Sequence, residues 1–219
     1  MSKRIVMIVT NAGWLDEDHR TGLWLSEFAE PYMQFTQENY EVTVASVAGG
    51  EIPIDPNSIS GEEPDEWEGV MEPLKQTTPL GEIDPDEYVG VFLPGGHGTM
   101  VDFPDNEAIK HILEPMAKEN KIIGSVCHGP AAFSGVEVDG KPFVEGKRLT
   151  SFTDEEERGA GLDEKVPFLL ETRLKELGAS FIGEDPGTEH VEADGNLVTG
   201  QNPQSSLAAA RKFLQKLSS

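Results

Sequence analysis

The sequence predicts an α/β fold in which a doubly wound, mostly parallel sheet carries helices on both faces. Two patterns point there. Short apolar runs rich in β-branched residues alternate with helix-length segments along the 219 residues, the signature of a sheet buried on both sides. Three of those runs end in turn-forming or glycine-rich stretches, at Asn11-Ala12-Gly13, at Pro94-Gly95-Gly96-His97-Gly98 and just after Val126. Their carboxyl ends therefore converge on one edge, where open α/β sheets bind ligands.

Strands are expected at 4–10, 40–47, 88–93, 121–126, 180–182 and 197–200, and helices at 24–38, 106–119, 129–133, 166–177 and 205–216, from apolar spacing and flanking breakers. The last helix is amphipathic. Segment 52–85 is rich in proline, glycine and acids, with a weaker helical stretch at about 67–74, and reads as a surface excursion from a single domain spanning 1–219. A short hairpin is expected across 136–148, turning at Asp139-Gly140. The chain opens Met1-Ser2-Lys3-Arg4 and runs directly into Ile5-Val6-Met7-Ile8-Val9, too short for a leader or a membrane span. No cleavage is expected.

Charge narrows the partners. A formal net charge of −23 repels nucleic acid and anionic membrane surfaces, so neither is expected. The acids cluster at 62–68 and 154–157, as a solvated acidic face would. Adaptation to a high-salt cytoplasm would produce the same excess, although lysine outnumbers arginine and lends that reading no particular support. Cys127 is the only cysteine, which excludes an intrachain disulfide framework and CxxC zinc motifs and fits a reducing, cytoplasmic setting.

The run Ile122-Ile123-Gly124-Ser125-Val126-Cys127-His128-Gly129-Pro130-Ala131-Ala132 sets that cysteine between a strand and a helix start. This is a nucleophile elbow. A helix N-terminus beside Cys127 would lower its pKa from about 8.5 and favour the thiolate. A small buried hydrophobe is the plain alternative for a lone cysteine. It leaves the adjoining His128, the flanking glycines and Pro130 unexplained. Leu93-Pro94-Gly95-Gly96-His97-Gly98 adds a glycine-rich turn able to present backbone N–H groups to an oxyanion, and lacks the Lys-Ser/Thr of a phosphate-binding loop. His97 is read equally as lining the pocket or as solvated. His19, next to Asp16-Glu17-Asp18, lacks the spacing of a metal site and reads as a surface histidine. Trp14 and Trp24 are expected to pack or to line the pocket.

Taken together, Thr21-Gly22-Leu23-Trp24-Leu25-Ser26-Glu27-Phe28-Ala29-Glu30-Pro31, Leu93-Pro94-Gly95-Gly96-His97-Gly98 and Val126-Cys127-His128-Gly129-Pro130-Ala131 resemble the ThiJ/PfpI superfamily. These are relatives of class I glutamine amidotransferases, and the likeness is to their heat-shock chaperone and glyoxalase III branch. Gly146–Asp154 and Leu197–Pro203 support the match, which runs nearly end to end. The resemblance implies a flavodoxin-like sheet with Cys127 as nucleophile and His128 beside it. The third member falls on Glu157, with Asp154 and Glu156 as substitutes. Glu27 corresponds to the family's acid that hydrogen-bonds the cysteine, which requires burial to keep it protonated. Glu30, before Pro31, would serve packing or capping. Gly96 and His128 are the candidate oxyanion donors, with Gly95, His97 and Trp24 completing the substrate-binding set.

The chemistry implied is attack of Cys127 on a small reactive aldehyde. In the leading form, methylglyoxal becomes lactate through a hemithioacetal and an enediolate, without glutathione, metal or organic cofactor, in a homodimer. Protein or nucleotide deglycation, cysteine peptidase or amidase activity, and a holdase chaperone or redox sensor are the alternatives within the same resemblance.

Overall fold

The computed structural model describes residues 3–219, so the chain start at Met1 and Ser2 lies outside it. Strands β1 (Arg4–Val9), β2 (Glu41–Ser46), β3 (Thr78–Pro79), β4 (Gly90–Leu93), β5 (Ile122–Val126), β6 (Glu137–Val138), β7 (Lys141–Pro142), β8 (Arg148–Leu149), β9 (Ser180–Phe181), β10 (Val191–Asp194) and β11 (Leu197–Gly200) alternate with helices. The helices are α1 (Leu25–Gln37), α2 (Trp67–Val70), α3 (Thr99–Asp102), α4 (Glu107–Lys118), α5 (Asp154–Ala160), α6 (Leu170–Glu176) and α7 (Ser206–Leu217). Seven strands form the main sheet in the order β10-β11-β5-β4-β1-β2-β3. Every neighbouring pair is parallel except the antiparallel edge β10–β11.

Strand periodicity builds both cores. In β1, Ile5, Met7 and Val9 enter a cluster with Phe28 and Phe35 of α1 and Phe213 of α7. The intervening Val6 and Ile8 face the other way, toward Ile109, Leu113 and Met116 of α4. Helix α4 presents Ile109, Ile112, Leu113 and Met116 at helical spacing, and the Asn106 side chain accepts from the N–H groups of Ala108 and Ile109 to cap its start. Helices on both faces follow directly from strands that are apolar on both sides.

Several expected elements take a different form. Segment 180–182 is extended but sits outside the main sheet, where Ser180–Phe181 pairs in parallel with β8. The sheet edge beyond β11 belongs instead to β10, whose Glu192 and Asp194 mask its strand character in sequence. The 129–133 helix is a 3₁₀ turn closed by Ser134 and Gly135. Helix 166–177 shortens to α6, after Pro167. The hairpin within 136–148 comprises only β6 and β7, with Asp139 and Gly140 both at positive φ, as a type I′ turn requires. Helix α5 lacks an apolar period and forms on a capping box, with Thr153 Oγ1 accepting from Glu156 N–H while the Glu156 carboxylate accepts from Thr153 N–H. Within 52–85, Ile52, Val70, Leu74 and Leu80 are buried, so this segment is pinned to the body rather than merely looping over it.

Aromatic rings pack directly behind the elbow strand. Phe35, Phe92 and Phe213 form a ring cluster with centroids 5.2–5.6 Å apart. A Cβ on Gly124 of β5 would lie 2.5 Å from Phe92 and 2.7 Å from Phe213. Gly124→Ala is therefore expected to destabilise the protein by about 1–3 kcal/mol through overpacking, read as a lower urea midpoint with an unchanged slope. An unchanged midpoint would mean that the rings have room to yield.

Candidate active site

The chain leaves β5 at Val126 and turns so sharply that Cys127 takes a φ of 59°, the left-handed region that costs a non-glycine residue roughly 1–2 kcal/mol. Neighbouring backbone holds it there. The Cys127 N–H donates to Gly200 O at 3.0 Å, and its carbonyl accepts from Phe152 N–H at 3.0 Å. On the far side, Thr99 Oγ1 donates to the His128 carbonyl at 2.9 Å. Gly129 is required for the approach, since a Cβ there would sit 2.2 Å from the Leu93 carbonyl oxygen. The 3₁₀ turn that follows is only five residues long.

Helix α5 carries the acid to this corner. Glu157 Oε2 lies 2.6 Å from His128 Nε2, and His128 Nδ1 lies 3.3 Å from Cys127 Sγ. A carboxylate can only accept, so Nε2 carries the imidazole proton and Nδ1 is left to receive one from the thiol. Cys127, His128 and Glu157 thus form one buried line. Glu156 and Asp154, the substitutes, are engaged elsewhere: Glu156 accepts from Asn202 and Gly187, and Asp154 from Thr172. His97 lines the cavity and also bonds the acid, with its Nε2 2.5 Å from Glu157 Oε1.

Electrostatics reverse one expectation. Burial, and then the nearby Glu27, push the Cys127 thiol well up rather than down. Desolvation also lowers His128, helped by His97, which keeps the ring neutral and able to accept. Burial raises Glu157, but the two histidines outweigh it and hold that carboxyl well below the usual range. Glu27 is completely buried in α1, and desolvation pushes it up to about 8 despite interactions with Cys127 and Gly95 that act the other way. It is protonated at neutral pH. Its Oε2 accepts from Gly95 N–H at 2.6 Å, Oε1 makes no hydrogen bond of ordinary geometry, and the Cys127 thiol interacts with the carboxyl. Burial raises Glu30 as well, consistent with packing.

Gly96 and His128 are the expected backbone donors, and the Gly95 N–H is committed to Glu27. Among the described residues, the N–H groups of Gly96 and His128 have no acceptor, and both residues line the cavity. Gly96 has a φ of 101°, and a Cβ would meet the Gly22 carbonyl at 2.1 Å, so only glycine fits. The end of β1 is tied into the same edge by Asp102, which accepts from Thr10 Oγ1 and Asn11 N–H at 2.8 Å each.

A cavity of about 320 Å³ lies over Cys127, lined also by Trp24, Gly96, His97, His128 and Phe152. His19, half-exposed, also lines the cavity, and Asp16 Oδ1 accepts from its N–H. Trp14 does not line it; its ring is exposed beneath Arg20. Asp55 and Asn57, from segment 52–85, also reach the cavity, which the sequence reading missed. Only tertiary contact reveals them, since Asp55 is fixed by Thr21 Oγ1 across 34 residues. Among the described residues, no lysine or arginine lines the cavity. His97, His128 and Glu157 bring ligand atoms within 4.8 Å of one another, the spacing of a metal-binding trio, but the same atoms are joined here by hydrogen bonds.

Glu27 supplies a pH test of this geometry. Its folded pKa of about 8 exceeds the unfolded value near 4.5, so the native state holds an extra proton between them. That contribution to stability is complete below about 4.5 and is lost as pH rises toward about 8. Glu27→Gln removes the titration. The variant should therefore gain on the wild type in thermal stability between pH 5 and pH 8. Parallel curves across that window would mean that Glu27 is not held protonated.

The chain is similar to known proteins over nearly its whole length. Glyoxalase 3 of Candida albicans is 29% identical over 93% of both chains. The glutathione-independent glyoxalase HSP31 of Saccharomyces cerevisiae is 28% identical over 98% of both. The X-ray structure of the rapid encystment protein of Francisella tularensis superposes with a TM-score of 0.91 at 35% identity, over 99% of both chains. The model of the DJ-1/PfpI family matches residues 21–216, and the chain belongs to that family.

Proposed function

We propose that the protein is a glutathione-independent glyoxalase that converts methylglyoxal to lactate through a covalent intermediate on Cys127. The observation that carries this reading is the Cys127–His128–Glu157 line beside a protonated Glu27, at the base of a small cavity with no lysine or arginine among its described lining residues. A neutral aldehyde suits such a site, whereas an anionic substrate would find no lysine or arginine there. Two relatives bear the name of this activity.

In the proposed reaction Cys127 Sγ attacks the aldehyde carbon as the thiol proton passes to His128 Nδ1. Glu157 stabilises the imidazolium through Nε2, and the N–H groups of Gly96 and His128 receive the developing oxyanion. Return of the proton to that oxygen gives the hemithioacetal. Glu27 protonates the neighbouring ketone oxygen as the proton on the former aldehyde carbon is removed by His128, giving an enediol. The proton on His128 is then delivered to the second carbon as the hydroxyl on the former aldehyde carbon returns a proton to Glu27, which gives a lactoyl thioester. Water then cleaves it, releasing lactate and restoring the thiol, for a net addition of one water to methylglyoxal. The high thiol pKa is compatible with this order, because the proton leaves during attack rather than beforehand.

The same reading carries a homodimer and a cytoplasmic setting, the latter in keeping with a single unpaired cysteine. Among the described residues no helix is long and apolar enough to cross a membrane. The test is lactate formation from methylglyoxal without glutathione. Cys127→Ala should fall to the uncatalysed rate, and Glu157→Gln should lose on the order of a hundredfold or more in kcat. Turnover by Cys127→Ala at the wild-type rate would overturn the proposal.

A further inference from the structure

Glu157 has two oxygens, and each is held by a different histidine. Oε2 meets His128 at 2.6 Å, while Oε1 meets His97 Nε2 at 2.5 Å. All three side chains are buried. The His97 and His128 rings lie against one another with centroids 4.0 Å apart, and Phe152 packs on both, 6.0 Å from His97 and 4.5 Å from His128. The His97 backbone is fixed as well, since its carbonyl accepts from Met100 N–H at the start of α3 and it follows the constrained Gly96.

We propose that His97 is a positioning residue that acts through Glu157. By donating from Nε2 to Oε1 it locks the carboxylate with its second oxygen on His128, and so governs how readily His128 takes the Cys127 proton. This rests on the reading of Cys127, His128 and Glu157 as the reactive unit. A glutamate side chain on the first turn of α5 has free rotation about its own bonds. Without His97, Oε1 becomes a buried acceptor with no partner, a state that drives the carboxylate to turn toward another donor. His128 then loses the acceptor that sets its tautomer and supports its positive charge. The titratable groups facing the thiol and His128 are Glu27 from α1, His97 from the glycine-rich loop, and Glu156 and Glu157 from α5.

Because Cys127 is the only cysteine, its alkylation by iodoacetamide reports thiol activation directly and needs no aldehyde. A protein that failed to turn over methylglyoxal would still answer this question. His97→Phe keeps a buried ring without the donor and should slow alkylation at neutral pH by about tenfold, with the midpoint of its pH profile moved upward. His97→Gln, whose amide can reach Oε1, should restore most of the rate. In the double variant His97→Phe/Glu157→Gln, alkylation should be no slower than in Glu157→Gln alone, because both changes break one relay. If His97→Phe does not fold, His97→Asn, whose amide stops short of Oε1, carries the same expectations. Wild-type alkylation in the folded variant would overturn the proposal. So would a double variant in which the two losses multiply, since His97 would then act independently of Glu157.

Discussion

The left-handed backbone at Cys127 is the constraint on which the site depends. A φ of 59° is unfavourable for cysteine, and it persists because β5 is locked between β4 and β11 while the elbow itself bonds Gly200, Phe152 and Thr99. The turn throws the sulfur out of the sheet and brings the His128 ring against it. It also sets the His128 N–H free beside that of Gly96. A glycine at 129 is part of the same solution, because any side chain there would collide with the end of β4. Strain at one residue is thus maintained by the ladder of a whole parallel sheet.

Burial then decides the chemistry. Four ionisable groups, Glu27, Cys127, His128 and Glu157, meet in a space largely closed to water, and their environments push them to different protonation states. Glu27 has only the Gly95 N–H and the sulfur beside it, so it keeps its proton. Glu157 has two imidazoles, so it loses one. In the proposed reaction one carboxyl gives a proton and the other stabilises positive charge. That division of labour between two glutamates is what acid–base work at a carbonyl requires.

Much of this arrangement was legible in the sequence. The buried strands declared themselves through runs such as Ile5–Val9, and Cys127 through its place between a strand and Gly129-Pro130. The family resemblance supplied Glu27 and Glu157, which spacing alone could not single out among so many acids. What escaped is physical in origin. The edge strand β10 carries Glu192 and Asp194, and α5 is held by its cap rather than by an apolar face. His19, Asp55 and Asn57 reach the cavity only because loops distant in sequence fold over it. The thiol pKa was misjudged because a helix terminus is visible in sequence, whereas the depth of burial is not.

Nucleophilic attack by Cys127 is the central claim, and intact-protein mass spectrometry after rapid quenching with methylglyoxal addresses it most directly. During turnover the protein should carry one transient adduct of methylglyoxal mass, mapped to Cys127 and absent from Cys127→Ala. Full-rate lactate formation with no adduct at Cys127 at any quench time, together with undiminished turnover by Cys127→Ala, would contradict it.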